Sequence, residues 1–183
     1  SISTANDLHR FHNVPMNKLF PIKLGFNNKK YYPITKIREK FFLIIGRHDP
    51  HKNLRRVIKA FAFSKISDYK LMFVGPFDKR HTPSLIKLID ECNIRHLCVW
   101  KGWIDDDEKL SLLNECHALI IASLWEGFGL PALEAMACGT PVIASERGAL
   151  PEVMGDYAYL INPFNIQSIA FAMNAVIHDK KCF

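Results

Sequence analysis

No stretch of this chain approaches the roughly 18 consecutive apolar residues that a membrane-spanning helix needs, although 49% of its 183 residues are hydrophobic. The five cysteines, Cys92, Cys98, Cys116, Cys138 and Cys182, are odd in number and include no Cys-x-x-Cys pair. That argues against a disulfide framework or a zinc site and fits a reducing compartment. No Gly-x-Gly-x-x-Gly follows the first apolar strand candidate, which weakens a nicotinamide or flavin reading, and no Gly-x-x-x-x-Gly-Lys-Ser/Thr supports kinase or triphosphatase chemistry. A serine-centred nucleophile elbow is missing too, since Gly127 and Gly129 flank Phe128. The first residues, Ser1-Ile2-Ser3-Thr4, have neither the charged nor the apolar region of a signal peptide. The expectation is a soluble, cytoplasmic chain.

What is present begins with charge. Lys and Arg outnumber Asp and Glu by 24 to 18, a formal charge of +6. The excess favours an anionic partner such as a nucleoside diphosphate, or a lipid diphosphate met by peripheral association with the inner face of a membrane. Nucleic acid is disfavoured, because the basic residues are scattered and no binding motif accompanies them. A merely solvated basic surface is an equal alternative.

From residue 41 onward, short apolar runs rich in branched and aromatic residues alternate with segments of helical period. Strands are expected at 41–46, 70–74, 97–100, 118–122, 141–144 and 157–161. Helices are expected at 53–65, 82–93, 106–116, 131–138, 150–154 and 166–178. Such alternation predicts a doubly wound, Rossmann-like α/β domain, a parallel sheet with helices on both faces. Residues 1–20 read as helical with Ser3 or Thr4 as cap, 20–27 as a short strand and turn, and the polar segment to Lys40 as a linker. The acidic run Asp105-Asp106-Asp107-Glu108 reads as helix capping and not a metal site, and Thr82-Pro83 as a cap followed by a first-turn proline.

One stretch stands out, Glu126-Gly127-Phe128-Gly129-Leu130-Pro131-Ala132-Leu133-Glu134. It follows an apolar strand candidate, turns on two glycines and offers a proline where a helix can begin. The ends of strands that lead into helices form the ligand edge of open α/β sheets, and amides at a helix start suit phosphate or sugar oxygens. Either glutamate alone is better explained by a solvated loop or a helix dipole. The pair, with this turn between them, points to a ligand, because carboxylates accept hydrogen bonds from vicinal hydroxyls. Gly46-Arg47-His48-Asp49-Pro50-His51-Lys52-Asn53 follows the first strand candidate and reaches the same edge. Arg47 and Lys52 there could offset a diphosphate without a metal ion. His48 and His51 read as loop residues.

The stretch from Ser123 to Ala137, the segment from Gly46 to Asn53, Gly139-Thr140-Pro141-Val142-Ile143-Ala144 and Gly148-Ala149-Leu150-Pro151-Glu152 together resemble one family. It is the C-terminal domain of the retaining family 4, or group 1, glycosyltransferases of the two-Rossmann GT-B fold. The likeness runs from residue 41 to about 179. It implies that residues 1–40 are the end of an N-terminal acceptor domain and the interdomain connection, and that 41–183 bind the nucleotide sugar. It further implies that Glu134 holds ribose hydroxyls, that Glu126 faces the donor sugar, and that the backbone of Gly127, Phe128, Gly129 and Leu130 lies against sugar and phosphate. Arg47 and Lys52 then bind the diphosphate, and Trp103 and Ile104 meet the nucleobase. No metal or cofactor is implied.

The reaction implied is hexose transfer from a nucleoside diphosphate sugar to a glycan or lipid-linked acceptor, with retention. The context Ser123-Leu124-Trp125-Glu126 looks most like mannosyl- or related hexosyltransferases of surface polysaccharide assembly, with GDP-mannose as the guessed donor. Most of the acceptor domain, and the final helix that crosses back to it, would lie outside this sequence, so these 183 residues are expected to bind nucleotide weakly and transfer nothing alone. A nucleotide-binding regulatory module and a sugar-nucleotide epimerase of similar architecture are the rival readings.

Overall fold

A computed structural model describes residues 1–34 and 37–179; the fate of the chain near Phe183, and with it any final crossing helix, lies outside them. Six strands, β1 (Phe41–Ile45), β2 (Lys70–Val74), β3 (Cys98–Lys101), β4 (Ala118–Ile121), β5 (Val142–Ser145) and β6 (Tyr159–Ile161), form one sheet in the order β3-β2-β1-β4-β5-β6. Every neighbouring pair is parallel. The helices are α1 (Ile2–His12), α2 (Leu54–Ser64), α3 (Thr82–Glu91), α4 (Asp106–Glu115), α5 (Leu130–Ala137), α6 (Leu150–Met154) and α7 (Ile166–His178). None of them is long and apolar enough to cross a membrane.

The apolar runs form central strands because a parallel sheet is covered on both faces, so both side-chain rows need burial. β1 shows this directly. Phe42 and Ile44 join the core that α2, α3 and α7 cover, while Phe41 and Leu43 join the opposite core with residues of α4, α5 and α6. The chain winds outward from β1 through β2 to β3, then returns to lay β4 against the other side of β1, with Phe42 opposite Ala118 and Leu43 opposite Leu119. The direction of winding reverses between these two strands. A crevice opens at such a point, beyond the strands' carboxyl ends.

The first forty residues depart from expectation. Ser1, not Ser3 or Thr4, caps α1, its hydroxyl accepting from the Thr4 amide at 3.1 Å. The helix stops at His12 and a single 3₁₀ turn, Met16–Lys18, follows. Residues 20–27 make no strand: the six-stranded sheet offers them no neighbour, and a strand's amides and carbonyls need one. Phe20 and Ile22 are left 80% and 81% exposed. Carboxylate oxygens of Glu152 on α6 accept from the amides of Ile2 and Ser3 at 2.9 and 3.2 Å, a favourable charge at a helix N-terminus.

The segment expected to be a linker is fastened to the domain. Tyr31 is buried, and the Ile34 amide donates to Asn114 Oδ1 at 2.6 Å. Arg38 donates to the carbonyls of Cys116 at 2.9 Å and Gly139 at 2.6 Å, and to Thr140 Oγ1 at 3.0 Å. Two cap expectations also resolve. Asp105 caps α4 by accepting from the Glu108 amide at 2.8 Å. Thr82 does not cap α3; it is the first residue of the helix, and its hydroxyl accepts from the Asp78 amide at 2.9 Å.

Candidate functional site

The segment leaving β1 and the segment leaving β4 meet at the reversal point. Lys52, in the 3₁₀ turn Pro50–Lys52, extends its ammonium to Glu126, 2.9 Å from Oε2 and 3.2 Å from Oε1. Both side chains are mostly buried, at 23% and 17% exposure. Asn53 fixes the turn that presents Lys52. Its backbone takes the left-handed conformation, at φ 60°, which asparagine tolerates. Its amide group donates to the carbonyls of Ala122 at 3.0 Å and Pro163 at 2.7 Å, clamping the start of α2 onto the ends of β4 and β6. Arg47 sits at the mouth, 74% exposed, and pairs with Asp49 at 2.9 Å.

The nonapeptide is held as a rigid turn. The Leu124 amide donates to the His51 carbonyl at 2.7 Å, and the Glu126 carbonyl accepts from the Ala149 amide at 3.0 Å. Gly148 makes that second approach possible. With φ at 64°, a Cβ there would stand 2.6 Å from the Glu126 carbonyl oxygen. Gly129 starts α5 at φ 91°, and a Cβ on it would meet Leu150 at 2.5 Å. Pro131 lies in the first turn, as expected. Phe128 turns inward and is buried, so Gly127 and Gly129 supply backbone, not side chain, to the edge. Leu130 remains 38% exposed.

The two glutamates do not share one partner set. Glu126 pairs with Lys52, whereas Glu134, one turn into α5, pairs with Lys109 of α4 at 2.5 Å and is 13% exposed. Tyr31 also hydrogen-bonds Glu134; burial foremost, then the carboxylate's charge, pushes its phenol up to about 12. The Lys109 ammonium stands 5.2 Å from the Tyr31 ring centre, a cation–π distance. Lysine, tyrosine and carboxylate thus form one cluster that ties residue 31 to both helices.

Two depressions open on this edge and share Ile45 and Arg47. The narrower, between Arg47, Lys52, Glu126 and Gly129, holds about 20 Å³, little more than one water, because the Lys52–Glu126 pair closes it. The wider holds about 400 Å³ and is walled by Gly46, Arg47, Gly75, Trp103, Ile104 and Lys109. Trp103, 79% exposed, offers a free indole face. Arg47, Trp103 and Ile104 therefore meet in one cleft, with Lys52 and Glu126 beside it and Glu134 behind Lys109.

Residues that the sequence did not single out complete the site. Asn53, Lys109, Tyr31 and Gly148 act through contacts between elements far apart in sequence, and only Asn53 and Gly148 carried a signal, as parts of recognised motifs. His48 lies in the loop after β1, as expected, but is not in solvent. It is buried, its Nδ1 lies 2.7 Å from Thr82 Oγ1, and its ring meets the Trp100 face edge-on at 5.1 Å between centres. Burial lowers its pKa, so the imidazole is neutral at pH 7. Asp49, Asp78 and His81 lie close enough together to hold an ion. Each carboxylate already has an arginine: Arg47 at 2.9 Å from Asp49, and Arg80 at 2.8 Å from Asp78, which it holds well below the usual carboxylate range.

A wholly parallel 3-2-1-4-5-6 sheet with helices on both faces and a cleft at its reversal point defines a Rossmann-like α/β domain. The chain belongs to the glycosyl transferases group 1 family, whose model matches residues 29–182. It is 30% identical over 186 residues to the MMP alpha-(1->4)-mannosyltransferase of Mycolicibacterium hassiacum, covering 99% of this chain and 45% of that one. It is 26% identical to O-antigen chain mannosyltransferase B of Escherichia coli, covering 91% and 47%. The chain thus spans less than half the length of these two relatives. Its fold matches sucrose-phosphate synthase of Thermosynechococcus elongatus with a TM-score of 0.83 at 27% identity, over 98% of this chain and 48% of that one. It matches the C-terminal domain of a group 1 glycosyl transferase of Francisella tularensis with a TM-score of 0.77 at 28% identity, over 86% and 90%.

Proposed function

We propose that this chain is the donor-binding half of a retaining hexosyltransferase that takes its sugar from a nucleoside diphosphate. The observation that carries the reading is the single edge on which Arg47, the Lys52–Glu126 pair and the Trp103-walled cleft lie together. Trp103 and Ile104 flank the base in this reading, and Glu134, oriented by Lys109, takes the ribose hydroxyls. Arg47 and Lys52 hold the diphosphate, and the amides of residues 127–130 lie against sugar and phosphate.

As the anomeric bond breaks, negative charge collects on the leaving diphosphate, where a fixed arginine, a lysine and helix-start amides favour it. Glu126 faces the sugar, and the leaving phosphate itself takes the acceptor's proton. The acceptor is a glycan or lipid-linked glycan held by the rest of the protein, on the cytoplasmic side and in peripheral contact with the membrane. Mannose is the sugar favoured by the names of the relatives, and GDP-mannose the donor; no metal enters the scheme. The test is transfer by the full-length protein carrying Glu126→Ala or Glu134→Ala. The reading expects each to lose at least a hundredfold in rate, and an unchanged rate would exclude it.

A further inference from the structure

Next to the donor notch, with Leu54 in both walls, lies a third pocket of about 120 Å³, set between the starts of α2 and α3. These helices, of 11 and 10 residues, begin on the same sheet edge and pack on the same face. Neither has a side-chain cap at its N-terminus. The first amides of a helix have no acceptor within it and carry the positive end of its dipole. The residues bearing them, Leu54 and Arg55 in α2 and Ser84 and Leu85 in α3, line this pocket.

An independent observation points to a ligand. His48, 4% exposed, also lines the pocket, and with Nδ1 bonded to Thr82 its Nε2 has no partner among the described residues. A buried polar atom without a partner is costly. Arg56 and His81 complete the wall, with Arg56 steadied by Asn53 Oδ1 at 3.0 Å and by the Phe164 ring at 5.5 Å. The lining includes one carboxylate, Asp49, already paired with Arg47. Two positive helix ends and two arginines oppose a cation and favour an oxyanion.

We propose that this pocket binds a phosphoryl group, at a site distinct from the donor cleft. The volume holds one tetrahedral oxyanion, and the convergent amides suit its several oxygens. Free phosphate and the phosphate of a monoester present the same chemistry here.

The test titrates the 183-residue chain with inorganic phosphate while amide proton–nitrogen shifts are followed. Saturable shifts are expected at Arg55, Ser84 and Leu85, persisting in Lys52→Gln, whose side chain lines the donor notch and not this pocket. Arg55→Gln/Arg56→Gln should weaken binding at least fivefold with an unchanged circular dichroism spectrum, and His81→Gln at least twofold. A parallel titration with glucose 6-phosphate separates the sources: tighter binding names a monoester, equal binding free phosphate. Shifts confined to residues 126–130 and Arg47, loss of binding in Lys52→Gln, absence of any saturable shift, or saturation of the same amides by Mn²⁺ but not by phosphate would each overturn the proposal.

Discussion

Lys52 and Glu126, 74 residues apart in the chain, grip each other through both carboxylate oxygens at 2.9 and 3.2 Å, and in doing so close the notch between β1 and β4. On the proposed reading the pair stores two donor-binding groups against one another: a diphosphate would give Lys52 a second anion and a sugar hydroxyl would give Glu126 a donor, so the ligand would replace what it separates. Removing one partner instead leaves a mostly buried charge alone.

Lys52→Met is therefore expected to lower stability by about 1–2 kcal/mol, as for a partly buried charge left without its partner, and to weaken nucleotide binding at least tenfold. Urea denaturation and calorimetric titration check the two effects separately. Loss of binding with full stability would mean that the pair is not closed in solution.

Gly148→Ala should be far more damaging than its single methyl suggests. The residue is at φ 64°, and the new Cβ would stand 2.6 Å from the Glu126 carbonyl. Strain of about 1–3 kcal/mol is expected, together with displacement of the Glu126 turn and weaker nucleotide binding. A denaturation midpoint equal to wild type would contradict the turn geometry described.

Lys109→Met separates orientation from contact at Glu134. The carboxylate loses its ion pair but keeps the Tyr31 hydroxyl, so a fivefold to tenfold fall in nucleotide affinity is expected, smaller than that of Glu134→Ala. Equal losses in the two variants would place Lys109 itself on the ligand.

Alkaline pH tests the Tyr31 cluster. Its phenol titrates higher folded, at about 12, than unfolded, near the ordinary 10, so the folded state binds the proton more tightly. The stabilisation is complete below pH 10 and fades as pH rises from about 10 to about 12. Denaturation at pH 9 and pH 11.5 should show a smaller drop in Tyr31→Phe than in wild type. Identical drops would mean that folding, through burial first and the Glu134 charge second, does not raise the phenol.

Much of this architecture is legible in the chain because burial writes itself into residue type. Phe41 to Ile45 is wholly apolar because both faces of β1 are covered, and the glycines around Phe128 mark a turn that tolerates nothing larger at Gly129. What escapes the sequence is what depends on meeting. Lys109 carries no signal until α4 and α5 bring it to Glu134, and the loop residue His48 shows its burial only once Thr82 of α3 meets it. The segment 20–27 has the composition of a strand but no neighbour to pair with. Arg38 looks like linker until four acceptors from distant turns surround it.

The most direct test of the central claim is calorimetric titration of the 183-residue chain with GDP, UDP and ADP, in wild type and in Arg47→Gln. Saturable binding of at least one, with GDP the tightest and weakened at least tenfold by the substitution, is the predicted result. No binding of any of the three, or binding indifferent to Arg47, would contradict a nucleoside diphosphate on this edge.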